Sequence, residues 1–185
     1  MPSSAELDDA LQRAAREIIA AARVIPRPVV LIDGRSGAGK TTLARTVASG
    51  LGAGVLSLDA FYPGWDGLSE GGRIAAEGVL APLRAGRPGR WHRWDWERSR
   101  AAEAHDVDAR TPWVIEGSGL LTPASRALSD VQVWVDAPEA VRKARALGRD
   151  GDAYRPHWER WAAQEEAHLR EHRPDALASL LFRFP

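Results

Sequence analysis

Eight consecutive residues, Gly34-Arg35-Ser36-Gly37-Ala38-Gly39-Lys40-Thr41, place glycines at the first and sixth positions and follow them with a lysine and a hydroxyl. That spacing suits cradling the phosphates of a nucleoside triphosphate. Gly34, Gly37 and Gly39 let the backbone curl so that successive N–H groups point inward, and the N-terminus of a following helix adds its positive end. Ser36, Ala38 and Thr42 complete the residues expected to line the nucleotide. Lys40 would reach the β and γ phosphates, and the Thr41 hydroxyl is placed to ligate Mg²⁺, which takes hydroxyl, carboxylate, phosphate and water oxygens. ATP and Mg²⁺ are therefore the expected cofactors.

Three carboxylates, Asp59, Glu116 and Asp136, fall at the ends of short apolar runs. Phosphoryl transfer needs little covalent help, but it needs a metal held and an attacking hydroxyl oriented. Asp59 leads into Phe61-Tyr62 and is assigned to the acceptor hydroxyl; Glu116, followed by Gly117, is assigned to the metal shell. Asp136 precedes Ala-Pro-Glu and reads better as a helix cap. Arg142, Arg145 and Arg149 recur at i, i+3 and i+7 and run into the polar stretch 148–152, so Arg145 and Arg149 could clamp a transferring phosphate; the alternative is a solvated helical face. Residues 84–96 interleave Arg84, Arg87, Arg90 and Arg93 with Trp91, Trp94 and Trp96. A stacking platform for single-stranded nucleic acid would use such residues, but 25 basic against 25 acidic residues weigh against it. An aromatic-lined pocket for a planar small molecule uses them better, with Arg93, Trp94 and Trp96 as its lining.

Elements must position these groups. Val29-Val30-Leu31-Ile32 reads as a buried strand feeding the glycine loop, and the stretch after the loop suits a helix. Residues 4–22 form an apolar helical stripe with a Ser3/Glu6 capping box. Further strands are expected at 55–58, 113–115, 131–135 and 177–184, and helices at 73–83, 97–105, 122–128, 139–147 and 157–172. Residues 148–152 read as a glycine-flanked mobile connection within a lid at about 148–157. This alternation predicts an α/β three-layer P-loop NTPase fold, with a mostly parallel sheet of about five strands flanked by helices and a small lid.

A chain of 185 residues, 44% hydrophobic, fits one domain with an ample core. It has no cysteine, which excludes disulfides, thiol catalysis and Cys-ligated zinc. It has no asparagine, which excludes an Asn-Lys-x-Asp guanine-reading motif. Neither a basic leader nor an apolar run near 20 residues is present, so a cytoplasmic protein without membrane or nucleic-acid partners is expected. The five histidines show no metal-ligand spacing. Oligomeric state is not readable.

The blocks Ile32-Asp33-Gly34 through Thr42, Leu58-Asp59-Ala60-Phe61-Tyr62, Val114-Ile115-Glu116-Gly117 and Trp134-Val135-Asp136 through Arg142 resemble the uridine kinase and phosphoribulokinase group of P-loop kinases. The likeness spans about 29–149, and Asp-x-Phe-Tyr is its discriminating block. The resemblance implies a single kinase domain over 1–185 that phosphorylates a hydroxyl of a small, nucleoside-like acceptor. It assigns Asp59 to the acceptor proton and the late arginines Arg145 and Arg149 to phosphates. Trp94-Asp95-Trp96 is similar to the family's Tyr-Asp-Phe block near the nucleobase, and Asp66, with Tyr62, falls where the sugar would lie. Glu97-Arg98-Ser99-Arg100 stands where uridine kinases carry a histidine, and the segment around Asp66 is short, which puts uridine itself in question. A kinase for another alcohol (a vitamin precursor, sugar or antibiotic) and a nucleotide-dependent switch or ATPase are the rival readings.

Overall fold

The computed structural model describes residues 4–185; Ser3, half of the expected capping box, lies outside them. Helix α1 (Ser4–Ala22) leads to β1 (Val29–Gly34), the phosphate loop, α2 (Lys40–Leu51) and β2 (Gly54–Ser57). Helix α3 (Leu68–Ile74) continues through a π-helical stretch (Ala75–Leu80) into α4 (Ala81–Arg84). Strands β3 (Gly89–Asp95) and β4 (Arg100–Val107) form a hairpin, followed by β5 (Trp113–Glu116), α5 (Pro123–Ala127) and β6 (Val131–Asp136). The chain closes with α6 (Glu139–Tyr154), a 3₁₀ turn (Arg155–His157), α7 (Trp158–His172), α8 (Pro174–Leu177) and β7 (Leu180–Arg183).

Five strands pair in the order β2-β5-β1-β6-β7, every pair parallel, as the strand–helix alternation implies. Side chains on a strand alternate between faces, and β1 uses both: Val30 and Ile32 enter the core beneath α1 and α2, whereas Leu31 joins the core with Leu58, Tyr62, Leu80 and Trp161. Burial on both faces explains why the strand is an unbroken apolar run. The order puts β1 between β5 and β6, so the C-terminal ends of these strands deliver the phosphate loop, Glu116 and Asp136 to one edge. Ligands of open parallel sheets bind at that edge.

Two expectations are corrected. The helix expected at 97–105 is instead strand β4, paired antiparallel with β3 from Gly89↔Val107 to Asp95↔Arg100. Ala101 to Ala104 favour a helix in isolation, but tertiary packing decides for strands: Val107 is buried, and Trp91 stacks on His105 at 4.6 Å while resting on Phe61 at 5.2 Å. The connection expected at 148–152 is helical apart from Gly151, whose φ of 57° and ψ of −136° break α6.

Candidate active site

The phosphate loop curls against α6. Gly37 has φ 79°, and a Cβ there would lie 2.1 Å from the Arg142 carbonyl oxygen, so the position demands glycine both for its torsion and for space. Gly39, at φ 101°, begins α2 with no side-chain cap, leaving the helix's first N–H groups to the loop. Lys40 is buried. Its ammonium donates to the carbonyls of Gly34 (2.8 Å) and Arg35 (3.2 Å) and to Ser118 Oγ (3.1 Å), so its three donors are engaged by the loop and by the segment after β5.

Thr41 Oγ1 donates to Glu116 Oε1 at 3.0 Å, bringing the two expected metal-side groups together from α2 and β5. Glu116 is buried, and desolvation raises its pKa against the lowering pull of Lys40. Asp59 is exposed just past β2, and its charge is felt by Glu116, Tyr62, Tyr154 and Arg149. Arg149 is paired with Asp150 at 2.7 and 2.8 Å, and that bond first, then the charges of Asp59 and Glu116, raise its pKa. Lys40, Thr41 and Glu116 are thus gathered at the loop by hydrogen bonds, and the charges of Asp59 and Arg149 act on this neighbourhood.

The three late arginines diverge. Arg142 is fully buried and donates to the carbonyls of Ala137 (3.0 Å) and Ser36 (3.3 Å), with Asp136 at 3.5 Å, so it braces the loop from behind; Asp136 does not cap α6 as expected, because the N-cap position falls on Pro138. Arg145 donates to the Pro185 carbonyl at 2.7 Å, away from Asp59 and Glu116. Of the three, Arg149 is the one whose pKa is raised in part by the charges of Asp59 and Glu116.

On the acceptor side the expected residues are more dispersed. Tyr62 is buried in the wall; its hydroxyl donates to the Ser118 carbonyl at 2.7 Å and its ring meets Trp161 edge-on at 4.8 Å. Asp66 is exposed and paired with Arg160, and Arg93 pairs with Glu103 on the outer hairpin at 2.6 Å. Trp96 leans on Trp65 at 4.9 Å, and Trp94 lies beside Gly64 with its indole N–H buried and without a partner. The aromatic surface centres on Trp65, which the sequence reading passed over: it stacks on His157 (4.2 Å, 12°) and Tyr154 (5.5 Å, 13°).

Four further polar residues escaped the sequence reading. Asp33, wholly buried, accepts from the amides of Gly34 (2.6 Å), Gly119 (3.0 Å) and Leu121 (2.7 Å) and lies 3.0 Å from His168 Nε2. Ser118 bonds Lys40, and Tyr154 donates to Ser36 Oγ at 3.0 Å. Glu165 accepts from the Ser36 amide at 2.6 Å. Asp33 carried a signal, a carboxylate at a strand end directly before the loop; Glu165 lies in mid-helix and carried none. A wide concavity of about 690 Å³ beside Arg13, Pro138 and Phe184 lies apart from this centre and holds none of these groups.

No protein-family profile and no curated protein sequence matches the chain. Solved structures with a similar fold include a protein of Bacillus stearothermophilus provisionally described as a uridine kinase, with TM-score 0.67 and 22% identity, covering 96% of this chain and 99% of that one. Another is a provisionally assigned fructose transport system kinase of Silicibacter sp. TM1040, with TM-score 0.53 and 21% identity, covering 93% and 98% respectively. At these identities the likeness establishes the α/β fold that the chain shares with them.

Proposed function

We propose that the chain is an ATP- and Mg²⁺-dependent phosphotransferase that moves the γ-phosphoryl group onto a hydroxyl of a small, nucleoside-like molecule. The observation that carries this reading is the glycine loop, with Lys40 buried in it and the Thr41–Glu116 hydrogen bond beside it at the C-terminal edge of the sheet. The fold it shares with two proteins described as kinases agrees with it.

The donor set suits a small hard cation: a hydroxyl 3.0 Å from a carboxylate whose burial leaves its negative charge poorly compensated. Thr41 and Glu116 would hold Mg²⁺, which when bound supplies positive charge to the transferring group. The protein's own groups do the rest. Lys40 exchanges its internal carbonyl partners for phosphate oxygens, a ready exchange because all three of its present acceptors are neutral. Asp59, exposed on the acceptor side, accepts the hydroxyl proton as the new P–O bond forms and the bond to the β-phosphate oxygen breaks, releasing ADP. Arg149 adds charge where it develops, and Tyr154, joined to Ser36, keeps the segment that carries Arg149 seated on the loop. The planar stack of Trp65, Tyr154 and His157, with Trp96 against it, supports an acceptor bearing a flat ring, with 148–157 acting as a lid.

The test is ADP release from ATP and Mg²⁺ across a panel of nucleosides, sugars and vitamin-precursor alcohols. Release stimulated by one acceptor, with phosphate recovered on it, is the expected result. Equal hydrolysis with and without every acceptor would point to an ATPase and sink the transferase reading.

A further inference from the structure

Glu165 is 3% exposed and has no part in the chemistry described above. It stands on α7, 129 residues from the phosphate loop, and its Oε1 accepts from the Ser36 amide at 2.6 Å and lies 3.2 Å from Ser118 Oγ. Ser118 Oγ in turn receives the Lys40 ammonium. One carboxylate oxygen therefore meets the crest of the loop and, through one hydroxyl, its lysine. The second oxygen has Arg35 Nε nearby at 3.5 Å without a hydrogen bond between them, and Arg35 pairs with Glu166 through Nη2 at 2.7 Å.

The helix beneath it is rigidly placed. Positions three and four apart share a helical face, and on this face Trp161 packs on Tyr62, Gln164 bonds the Trp65 carbonyl (2.7 Å) and the Leu68 amide (3.3 Å), and His168 meets Asp33 (3.0 Å). Glu165 is thus presented to Ser36 from a strut anchored on both sides.

We propose that Glu165 is a positioning residue for the phosphate loop, fixing the Ser36 amide by the reach of its oxygen rather than by its charge. This rests on the nucleotide-binding part of the proposed function. The distinction follows from electrostatics: Arg35, Lys40 and Arg142 face the carboxylate from the loop, α2 and α6, so a negative charge there competes with nucleotide phosphates for the same cations. What helps the nucleotide is the fixed curl of the loop, which needs an acceptor atom at that point and not an anion.

Two conservative variants separate reach from charge. Glu165→Gln keeps an oxygen at the same distance and removes the charge. Glu165→Asp keeps the charge but withdraws the oxygen by about 1.5 Å, one carbon–carbon bond, beyond hydrogen-bond reach of Ser36. Titration with Mg·ADP by calorimetry, on variants checked for folding by circular dichroism, should find Glu165→Gln within about threefold of wild type or tighter, and Glu165→Asp about tenfold weaker, the loss expected for one hydrogen bond to a charged acceptor. An affinity for Glu165→Asp equal to or above that of Glu165→Gln overturns the proposal. Should the aspartate variant not fold, Glu165→Ala replaces it as the variant without an oxygen, read against the same criterion. The measurement needs neither acceptor nor turnover. Bound ADP without phosphoryl transfer would overturn the transferase reading alone, and a reversed order of the two variants would overturn this one alone.

Discussion

The two halves of the candidate site are built on different physics. On the phosphate side Asp33, Lys40, Glu116 and Glu165 are all buried, and each is held by hydrogen bonds into β1, the loop, α2 or the segment after β5. On the acceptor side the contacts are stacked rings, Trp65 with Tyr154, His157 and Trp96, and ion pairs in solvent, Asp66 with Arg160 and Arg93 with Glu103. Desolvated charge held by hydrogen bonds fixes atoms closely, and each missing partner there costs free energy. Stacked rings and exposed pairs fix a shape, and an exposed pair contributes only about 0–1 kcal/mol. On the proposed function, one half would hold a constant ligand and the other could be altered without loss of the fold.

The contrast can be broken by experiment. Asp59→Asn stands at the boundary and has the largest expected effect: the proton acceptor is lost, and turnover should fall about 10² to 10⁴-fold while Mg·ADP affinity is kept. Loss of ADP affinity instead would move Asp59 to the phosphate half. Lys40→Met should cost about 10² to 10³ in kcat, as removal of one fixed donor does, and near wild-type turnover would dismantle the phosphate assignment. Trp65→Ala should raise the acceptor KM about tenfold, the size of one aromatic contact, and leave ADP affinity unchanged. If both affinities fall together, the two halves are not separable.

The smallest effect is on stability. Burial, set against the pull of Lys40, the Ser36 amide, Arg35 and Arg142, leaves the Glu165 pKa above its ordinary value. A carboxyl whose folded pKa exceeds its unfolded one carries a cost above the folded pKa, and that cost disappears as pH falls through it toward the unfolded value. Melting of wild type and Glu165→Gln should therefore differ more, in favour of the variant, at pH 8 than at pH 5. A gap independent of pH would show that ionisation of Glu165 carries no cost.

The sheet was legible because its strands are short apolar runs bounded by glycine, proline and carboxylates. The loop was legible because its torsions require glycine at fixed places. The hairpin was not: Ala101, Ala102 and Glu103 have helical propensity, and only packing of Trp91 on Phe61 and burial of Val107 settle them as a strand. The arginine stripe was half legible, since helical spacing puts 142, 145 and 149 near one face but says nothing of the partners that separate them, the Ala137 and Ser36 carbonyls for Arg142, the Pro185 carbonyl for Arg145 and Asp150 for Arg149. Trp65 and Glu165 gave no sign because nothing local distinguishes a ring or a carboxylate that will meet a partner a hundred residues away.

Asp33 has a consequence for when the site comes into being. Its carboxylate joins amides 86 and 88 residues downstream and an imidazole 135 residues downstream, so the floor beneath the phosphate loop consists of contacts of high sequence separation. Closing such distances is entropically costly and comes late in folding. A chain emerging N-terminus first exposes the glycine loop long before His168 has been synthesised, and through that interval the loop's signature is complete while its floor is not. On the proposed function, capture of nucleotide would therefore be a property of the finished topology, complete only when α7 docks.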